Sequence, residues 1–214
     1  MECYYKDLPV HMDQGKIFLQ MHIRKDLWNY EEYEKAYLEL ENELPKLLEP
    51  QGIYKLTENK IGGTVHKDLE KTSHLVCTMV TLGSKVSERC TEYFMEKDYL
   101  KGLMIDSIAD QMLFDLSNDF YKVIKKDVVD EQKFGLTVRY SPDDCFIPIH
   151  FQKDILEIVE GNRYLSVGIT EGFMYNPIKT LGYLYGADQK ICTSLIDHDC
   201  SLCSNTKCTL RKIA

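Results

Sequence analysis

The sequence lacks the features that mark membrane, secreted and nucleic-acid-binding proteins. No apolar run approaches the ~20 residues that a helix needs to span a bilayer. Residues 1–7 show no basic start followed by an apolar stretch, so we expect no signal peptide and a cytoplasmic location. Basic residues are outnumbered, 26 Lys and Arg against 34 Asp and Glu, and the net charge of −8 disfavours binding to phosphate backbones.

The sequence also lacks the common catalytic signatures. It contains no Gly-x-Ser-x-Gly nucleophile turn, no phosphate-binding glycine loop and no His-Glu-x-x-His metal motif. The six histidines are scattered along the chain. We therefore assign no catalytic acid, base or nucleophile, which favours an accessory or binding role.

Hydrophobic patterning, by contrast, is well developed and predicts the fold. With 214 residues and 44% hydrophobic content, the chain is long enough for a compact domain with its own core. A strand is predicted at residues 74–82, of which residues 75–80 are apolar on both faces, as in a buried central strand. Residues 99–125 are predicted to form a helix that is apolar over much of its circumference. Residues 126–133 look like a polar connection, and further strands are predicted at 53–57, 136–140, 164–170 and 180–185.

Long helices interleaved with strands, without a repeating strand–helix unit, indicate a single α+β domain with a mostly antiparallel sheet. We place this domain at residues 1–188. Residues 189–214 form a cysteine-rich C-terminal tail.

Three short motifs occur in order in the C-terminal part of the chain. They are Arg139-Tyr140-Ser141-Pro142, then Thr170-Glu171-Gly172-Phe173, then the tail pattern Cys200-x2-Cys203-x4-Cys208-x2-Arg211. Together they resemble the activation domain of cobalamin-dependent methionine synthase, and in particular its small stand-alone homologues with a cysteine-rich tail. The resemblance implies a twisted antiparallel sheet with long helices, and S-adenosylmethionine (AdoMet) as ligand. It also implies that cobalamin is met on a partner, either a corrinoid-binding protein or a methyltransferase.

The resemblance also assigns candidate binding residues. Arg139 would pair with the ligand carboxylate through two hydrogen bonds. The other candidates are Ser141, Pro142, Glu171, Asp106 and Tyr185. Structural alternatives stay open: Arg139 pairs with Asp143 or Asp144 at the surface, Glu171 ends a strand in water, and Tyr185 is a core residue.

Two departures from the family pattern predict that AdoMet binding is weak or lost. Asp143 and Asp144 stand where the family has Gly-Tyr, which brings negative charge near the ligand carboxylate and removes a permissive glycine. Phe114 stands where the family has a ligand-contacting glutamate, eight residues after Asp106. A phenylalanine offers the cationic ligand only a cation–π face.

Eight cysteines are many for a chain expected in a reducing compartment, where clustered thiols more often bind metal or do redox chemistry. Four lie close together in the tail, so a zinc or iron–sulfur centre is a candidate, with His198 as an alternative fourth ligand. The predicted ligands are Cys192, Cys200, Cys203 and Cys208. The alternative is a tail whose cysteines are reduced and bind nothing.

Two functional hypotheses follow. The first is an accessory protein of corrinoid and methyl-transfer metabolism that supports reductive methylation of protein-bound cobalamin with AdoMet. The second is a diverged metal-binding or protein-interaction module on the same fold, with no AdoMet role.

Overall fold

A computed structural model describes residues 1–142 and 147–198 of the chain. The strands are β1 (Glu2–Tyr5), β2 (Gln51–Glu58), β3 (His74–Thr81), β4 (Gly135–Leu136), β5 (Gly168–Ile169), β6 (Tyr175–Asn176) and β7 (Thr180–Asp188). The α-helices are α1 (Gln14–Gln20), α2 (Tyr30–Glu43), α3 (Gly62–Val65), α4 (Lys85–Met95), α5 (Tyr99–Ile124), α6 (Phe151–Ile158) and α7 (Gly161–Tyr164). A 3-10 turn at Leu44–Lys46 and a π-helix at Lys125–Glu131 complete the regular elements of the described residues.

Five strands form one sheet in the order β1-β2-β3-β7-β4, and β5 pairs with β6 in a separate two-stranded sheet. Every strand pairing in the described part of the chain is antiparallel. The register of the central pair places Val76 opposite Tyr185 and Met79 opposite Gly182. The predicted α+β fold with a mostly antiparallel sheet is confirmed.

Helices cover both faces of the sheet, which explains why β3 is apolar on both sides. Val76 and Val80 of β3 pack into the core formed with α1, α2, α4 and α5. Leu75, Cys77 and Met79 alternate with them and pack into the second core, formed with α6. Because successive residues of a strand point to opposite faces, one strand contributes to both cores.

The central helix is α5, whose 26 residues give it a length of roughly 39 Å. Asp98 caps its N-terminus by accepting a hydrogen bond from the backbone amide of Lys101 at 3.1 Å. Its buried residues occur at almost every turn from Gly102 to Ile124, so it packs on several sides as predicted. No helix among the described residues is both long and apolar enough to cross a membrane.

The structure corrects the sequence-based reading of residues 126–133. We expected a polar connection, but α5 continues directly into the π-helix Lys125–Glu131. Two tyrosine hydroxyls of the sheet, from Tyr5 and Tyr54, donate hydrogen bonds to Asp127 at 2.8 and 2.7 Å. Val128 is also fully buried. These long-range contacts hold helical turns that local composition does not predict.

Two predicted strands are shorter than expected. The strand predicted at 136–140 is reduced to β4 and one isolated bridge between Tyr140 and Leu184. The strand predicted at 164–170 is reduced to β5, because the chain first forms α7, a short helix, after Glu160 adopts a left-handed conformation with φ of 53°.

Candidate functional site at Arg139

Arg139 follows β4 and lies buried between the C-terminal half of α5 and strand β7, with 6% of its surface exposed. Its Nη1 donates a hydrogen bond to Ser117 Oγ at 2.7 Å, and its Nη2 donates to Asn118 Oδ1 at 3.1 Å. The guanidinium also lies 5.8 Å from the ring centre of Phe114 and 5.1 Å from that of Tyr183. A planar guanidinium binds a carboxylate with two hydrogen bonds only in a suitable orientation. These contacts fix the orientation of the Arg139 guanidinium before a carboxylate binds.

Two sequence periodicities build this site. Phe114, Ser117 and Tyr121 are spaced by three and four residues, so they lie on one face of α5. Tyr183 and Tyr185 are two residues apart in β7 and point to the same face of the sheet. The face of the helix meets the face of the strand, where Tyr121 stacks on Tyr185 with ring centres 5.5 Å apart.

Residues 191–198, which we call the strap, cover the site from the outer side of β4. The backbone amide of Ser194 donates to the carbonyl of Leu136 at 2.8 Å, and the amide of Arg139 donates to the carbonyl of Asp197 at 2.7 Å. Gly135 permits this approach, because a Cβ at that position would overlap the carbonyl oxygen of Ile191. The strap thereby places Asp197 beside Arg139.

Asp197 directs its carboxylate into the site. Tyr185 donates its hydroxyl hydrogen to Oδ1 at 2.7 Å, and Oδ2 lies 3.6 Å from Arg139 Nη1. Only 14% of the Asp197 side chain is exposed. Burial raises the pKa of this carboxyl, against the opposing influence of Arg139 and Tyr185. The distance to Arg139 exceeds hydrogen-bond length, so the ion pair is not the two-bond arrangement that a guanidinium can make.

Tyr185 is fully buried, and burial raises its pKa well above the usual value. The phenol therefore stays protonated and acts as a hydrogen-bond donor. Its hydroxyl points to Asp197, and its ring stacks on that of Tyr121.

Asp106 lies elsewhere on α5. Its Oδ1 accepts a hydrogen bond from Lys179 Nζ at 2.7 Å, and Asp110 accepts from the same amine at 2.6 Å. Asp106 precedes Ser117 by eleven residues, which is roughly 16 Å along a helix. The structure therefore does not bring Asp106 to Arg139.

Sequence reasoning missed Lys179, whose side chain is only 7% exposed. Burial acts to lower its pKa, but the hydrogen bonds to Asp106 and Asp110 outweigh that effect and raise it. Lys179 is thus charged, and it joins the start of β7 to the N-terminal half of α5. A lysine just before a buried strand was the only available signal.

The remaining predicted residues differ in burial. Ser141 is half-buried and Pro142 is buried, directly after the isolated bridge at Tyr140. Glu171 is exposed in the turn between β5 and β6. Asp143 and Asp144 lie outside the described residues. Two of the predicted residues, Arg139 and Tyr185, both contact Asp197, which sequence reasoning missed.

The predicted metal ligands fall mostly beyond the described residues. Cys192 lies on the strap and is exposed, whereas Cys200, Cys203 and Cys208 lie outside the described residues. Within residues 1–142 and 147–198, no three His, Cys, Asp or Glu side chains are grouped to hold a metal. The metal centre stays a prediction.

A cavity of about 670 Å³ adjoins the site, and Asn118 forms part of its wall. This size falls within the range of roughly 300–1,000 Å³ typical of ligand pockets. Residues 9–16, α2 and α5 enclose it, and Lys16 pairs with Asp115 across it at 3.1 Å. Among the charged side chains of the lining, carboxylates outnumber cations and include those of Glu41, Asp115 and Asp119.

Comparison with known proteins identifies the fold. No family model matches the sequence, and no curated protein matches it either. Among solved structures, the chain is similar to one described as the crystal structure of the MetH reactivation domain bound to AdoHcy. The TM-score is 0.66 at 13% sequence identity, and the match covers 91% of this chain and 80% of that chain. At this level of identity the likeness establishes the fold, in agreement with the resemblance of the motifs.

Proposed function

We propose that this chain is an accessory protein of corrinoid-dependent methyl transfer that holds an AdoMet-type ligand by its carboxylate at Arg139. One observation carries the proposal: the buried guanidinium, oriented by Ser117 and Asn118, already has a carboxylate beside it, that of Asp197. The pocket can therefore accommodate a carboxylate next to a cation and a phenol donor. The match to a fold solved with AdoHcy supports the proposal.

The cationic part of the ligand also has a suitable neighbour. AdoMet carries an amine and a sulfonium, and both are stabilised by nearby carboxylates. The cavity beside Asn118 supplies such groups from α2 and α5. An acid or base is not required for methyl transfer from a sulfonium, because the leaving group departs as a neutral thioether. A reduced cobalamin on a partner protein supplies the nucleophile, and the contribution of this chain is to bind and orient the methyl donor.

We expect the affinity of the native protein for AdoMet to be weak. The Asp197 carboxylate lies beside Arg139, and Phe114 lies 5.8 Å from the guanidinium at the position where the motif resemblance implies a glutamate. Calorimetry should show no saturable heat at micromolar AdoMet or AdoHcy, and saturation only near millimolar ligand. A tight one-to-one isotherm in the native protein would contradict this expectation.

The residue assignment is tested by Arg139→Lys. Lysine cannot make the planar two-bond contact, so affinity for AdoHcy should fall by roughly tenfold, equivalent to about 1.4 kcal/mol. Arg163→Lys is a matched control, since Arg163 is exposed on α7. Equal affinities of the Arg139 variant and the native protein would place the ligand elsewhere.

A second candidate function has an observation in its favour. The same Arg139–Asp197 pair is what a diverged module would show if its pocket had been filled permanently by its own chain. Such a protein would act through metal binding or protein interaction, without AdoMet. Absence of AdoHcy binding up to several millimolar, both in the native protein and after removal of the Asp197 carboxylate, would favour this second candidate.

A further inference from the structure

We propose that the strap is an internal ligand that closes the Arg139 site, with the Asp197 carboxylate occupying the place of an external carboxylate. The strap must then detach before a small molecule can bind. This inference rests on the proposed function for the identity of that molecule, but closure itself rests on the contacts of the strap alone.

The strap is attached at a few polar points. The strap is held by the Ser194 and Arg139 backbone hydrogen bonds and by the Asp197 contacts with Tyr185 and Arg139. The His198 ring also meets the Phe114 ring edge-on, with ring centres 6.4 Å apart. Leu195 and Ile196, the large apolar residues nearest Asp197, are both exposed. Because they bury little apolar surface, hydrophobic burial contributes little to docking at this end. The Asp197 carboxylate is therefore one of the main polar contacts that hold this end of the strap.

The Asp197 carboxylate is also an imperfect partner for Arg139. Its Oδ2 is buried, yet it accepts no hydrogen bond from any residue that the structure describes. A buried carboxylate oxygen without a donor keeps a desolvation cost that is not offset. The carboxylate of a small molecule is not attached to the strap backbone. It can therefore form two hydrogen bonds with the Arg139 guanidinium, which the Asp197 carboxylate does not form. Competition by an external ligand is therefore physically reasonable.

The opposite end of the strap offers an independent way to lift it. A Cβ at residue 135 would overlap the Ile191 carbonyl oxygen, so Gly135→Ala should displace the strap from β4. The chain of this variant still carries the Asp197 carboxylate. Asp197→Ala removes the carboxylate and leaves Gly135 in place. Both variants should therefore release the strap from the Arg139 site, one by a steric overlap and the other by loss of a contact.

The first measurement is amide hydrogen exchange in the full-length protein. Exchange at Ser194 and Arg139, whose amides hold the strap, should become at least tenfold faster in Asp197→Ala and in Gly135→Ala, while the strand β3 keeps its native protection. Asp130→Ala, at an exposed aspartate of the π-helix, is the control and should exchange like the native protein. Native exchange at Ser194 and Arg139 in Asp197→Ala would overturn the inference.

The second measurement asks whether an external carboxylate replaces the internal one. Formate has the size of the group that Asp197→Ala removes. Sodium formate should raise the Tm of Asp197→Ala relative to sodium chloride at equal ionic strength, and should have no such effect on the native protein or on the double variant Arg139→Lys/Asp197→Ala. Equal responses of all three proteins would overturn the inference.

AdoHcy binding separates this inference from the proposed function. Binding that is about tenfold tighter in Asp197→Ala than in the native protein supports both. If formate raises the Tm of Asp197→Ala but AdoHcy binds to neither protein, the internal-ligand inference is supported and the proposed function is refuted. Equal AdoHcy affinity in the two proteins, with unchanged exchange in the strap, refutes the internal ligand and keeps the proposed function.

Discussion

The contact between Lys179 and α5 yields a quantitative prediction for Lys179→Met. Methionine keeps an unbranched apolar stem of similar length but cannot carry the charge. The substitution leaves Asp106 and Asp110 without their cation. Removing one partner of a fully buried ion pair costs about 3–5 kcal/mol, whereas an exposed pair contributes only about 0–1 kcal/mol.

The ion pairs of Lys179 are intermediate between a fully buried pair and an exposed pair. Lys179 is 7% exposed, but the carboxylate side chains are 50% and 46% exposed and can regain hydration. We therefore expect a loss of about 2 kcal/mol in the free energy of unfolding. For a chain of this length that corresponds to a fall in Tm of roughly 4–8 °C.

Urea unfolding of the native protein and of Lys179→Met measures this loss directly, and Lys25→Met at an exposed position is the control. The difference in unfolding free energy between the two proteins should decrease at high pH, because the pKa of Lys179 is raised in the folded state. Its stabilising contribution is complete below the unfolded-state lysine pKa of about 10.4 and is lost as the pH rises through the higher folded value. The gap between native and variant proteins should thus be constant from about pH 7 to 9 and narrow above about pH 10.4.

A loss in Lys179→Met below about 0.5 kcal/mol, similar to that of an ordinary surface substitution, would refute this reasoning. It would mean that the two aspartates are hydrated well enough to need no cation. Lys179 would then not be what holds the start of β7 against α5.

Two further predictions concern the strap and the tail. Tyr185→Phe removes the hydroxyl that donates to Asp197 Oδ1 and should lower the free energy of unfolding by about 1–3 kcal/mol, since the buried carboxylate loses a short hydrogen bond. An unchanged Tm in thermal unfolding would contradict the importance of that bond. Protein purified without oxygen should contain zinc, or iron with sulfide, bound by the tail thiols, and Cys203→Ser should remove the metal while circular dichroism shows an intact α+β core. Metal-free anaerobic protein with freely titratable tail thiols would contradict the predicted centre.

Local pattern alone was enough to predict the framework. The apolar circumference of residues 99–125 predicts a central helix, and the two apolar faces of residues 74–82 predict a strand covered on both sides, because burial imposes the 3.6-residue and two-residue periods on the sequence. The Arg139-Tyr140-Ser141-Pro142 motif indicates the arginine around which the candidate site is built. The extension of α5 into the π-helix was missed, since it depends on tyrosine hydroxyls from distant strands.

The partners within the site were decided by tertiary structure. From the sequence we expected Arg139 to pair with Asp143, with Asp144 or with the carboxylate of a ligand. Among the described residues, the carboxylate beside it is that of Asp197, from the segment after β7. Asp106 was assigned to the ligand, yet it pairs with Lys179, 73 residues away in the chain. Sequence periodicity reports which face of an element is buried, because burial acts on each residue separately. It carries no information on which charges meet, because that depends on how the sheet order brings β4, β7 and the strap together beside α5.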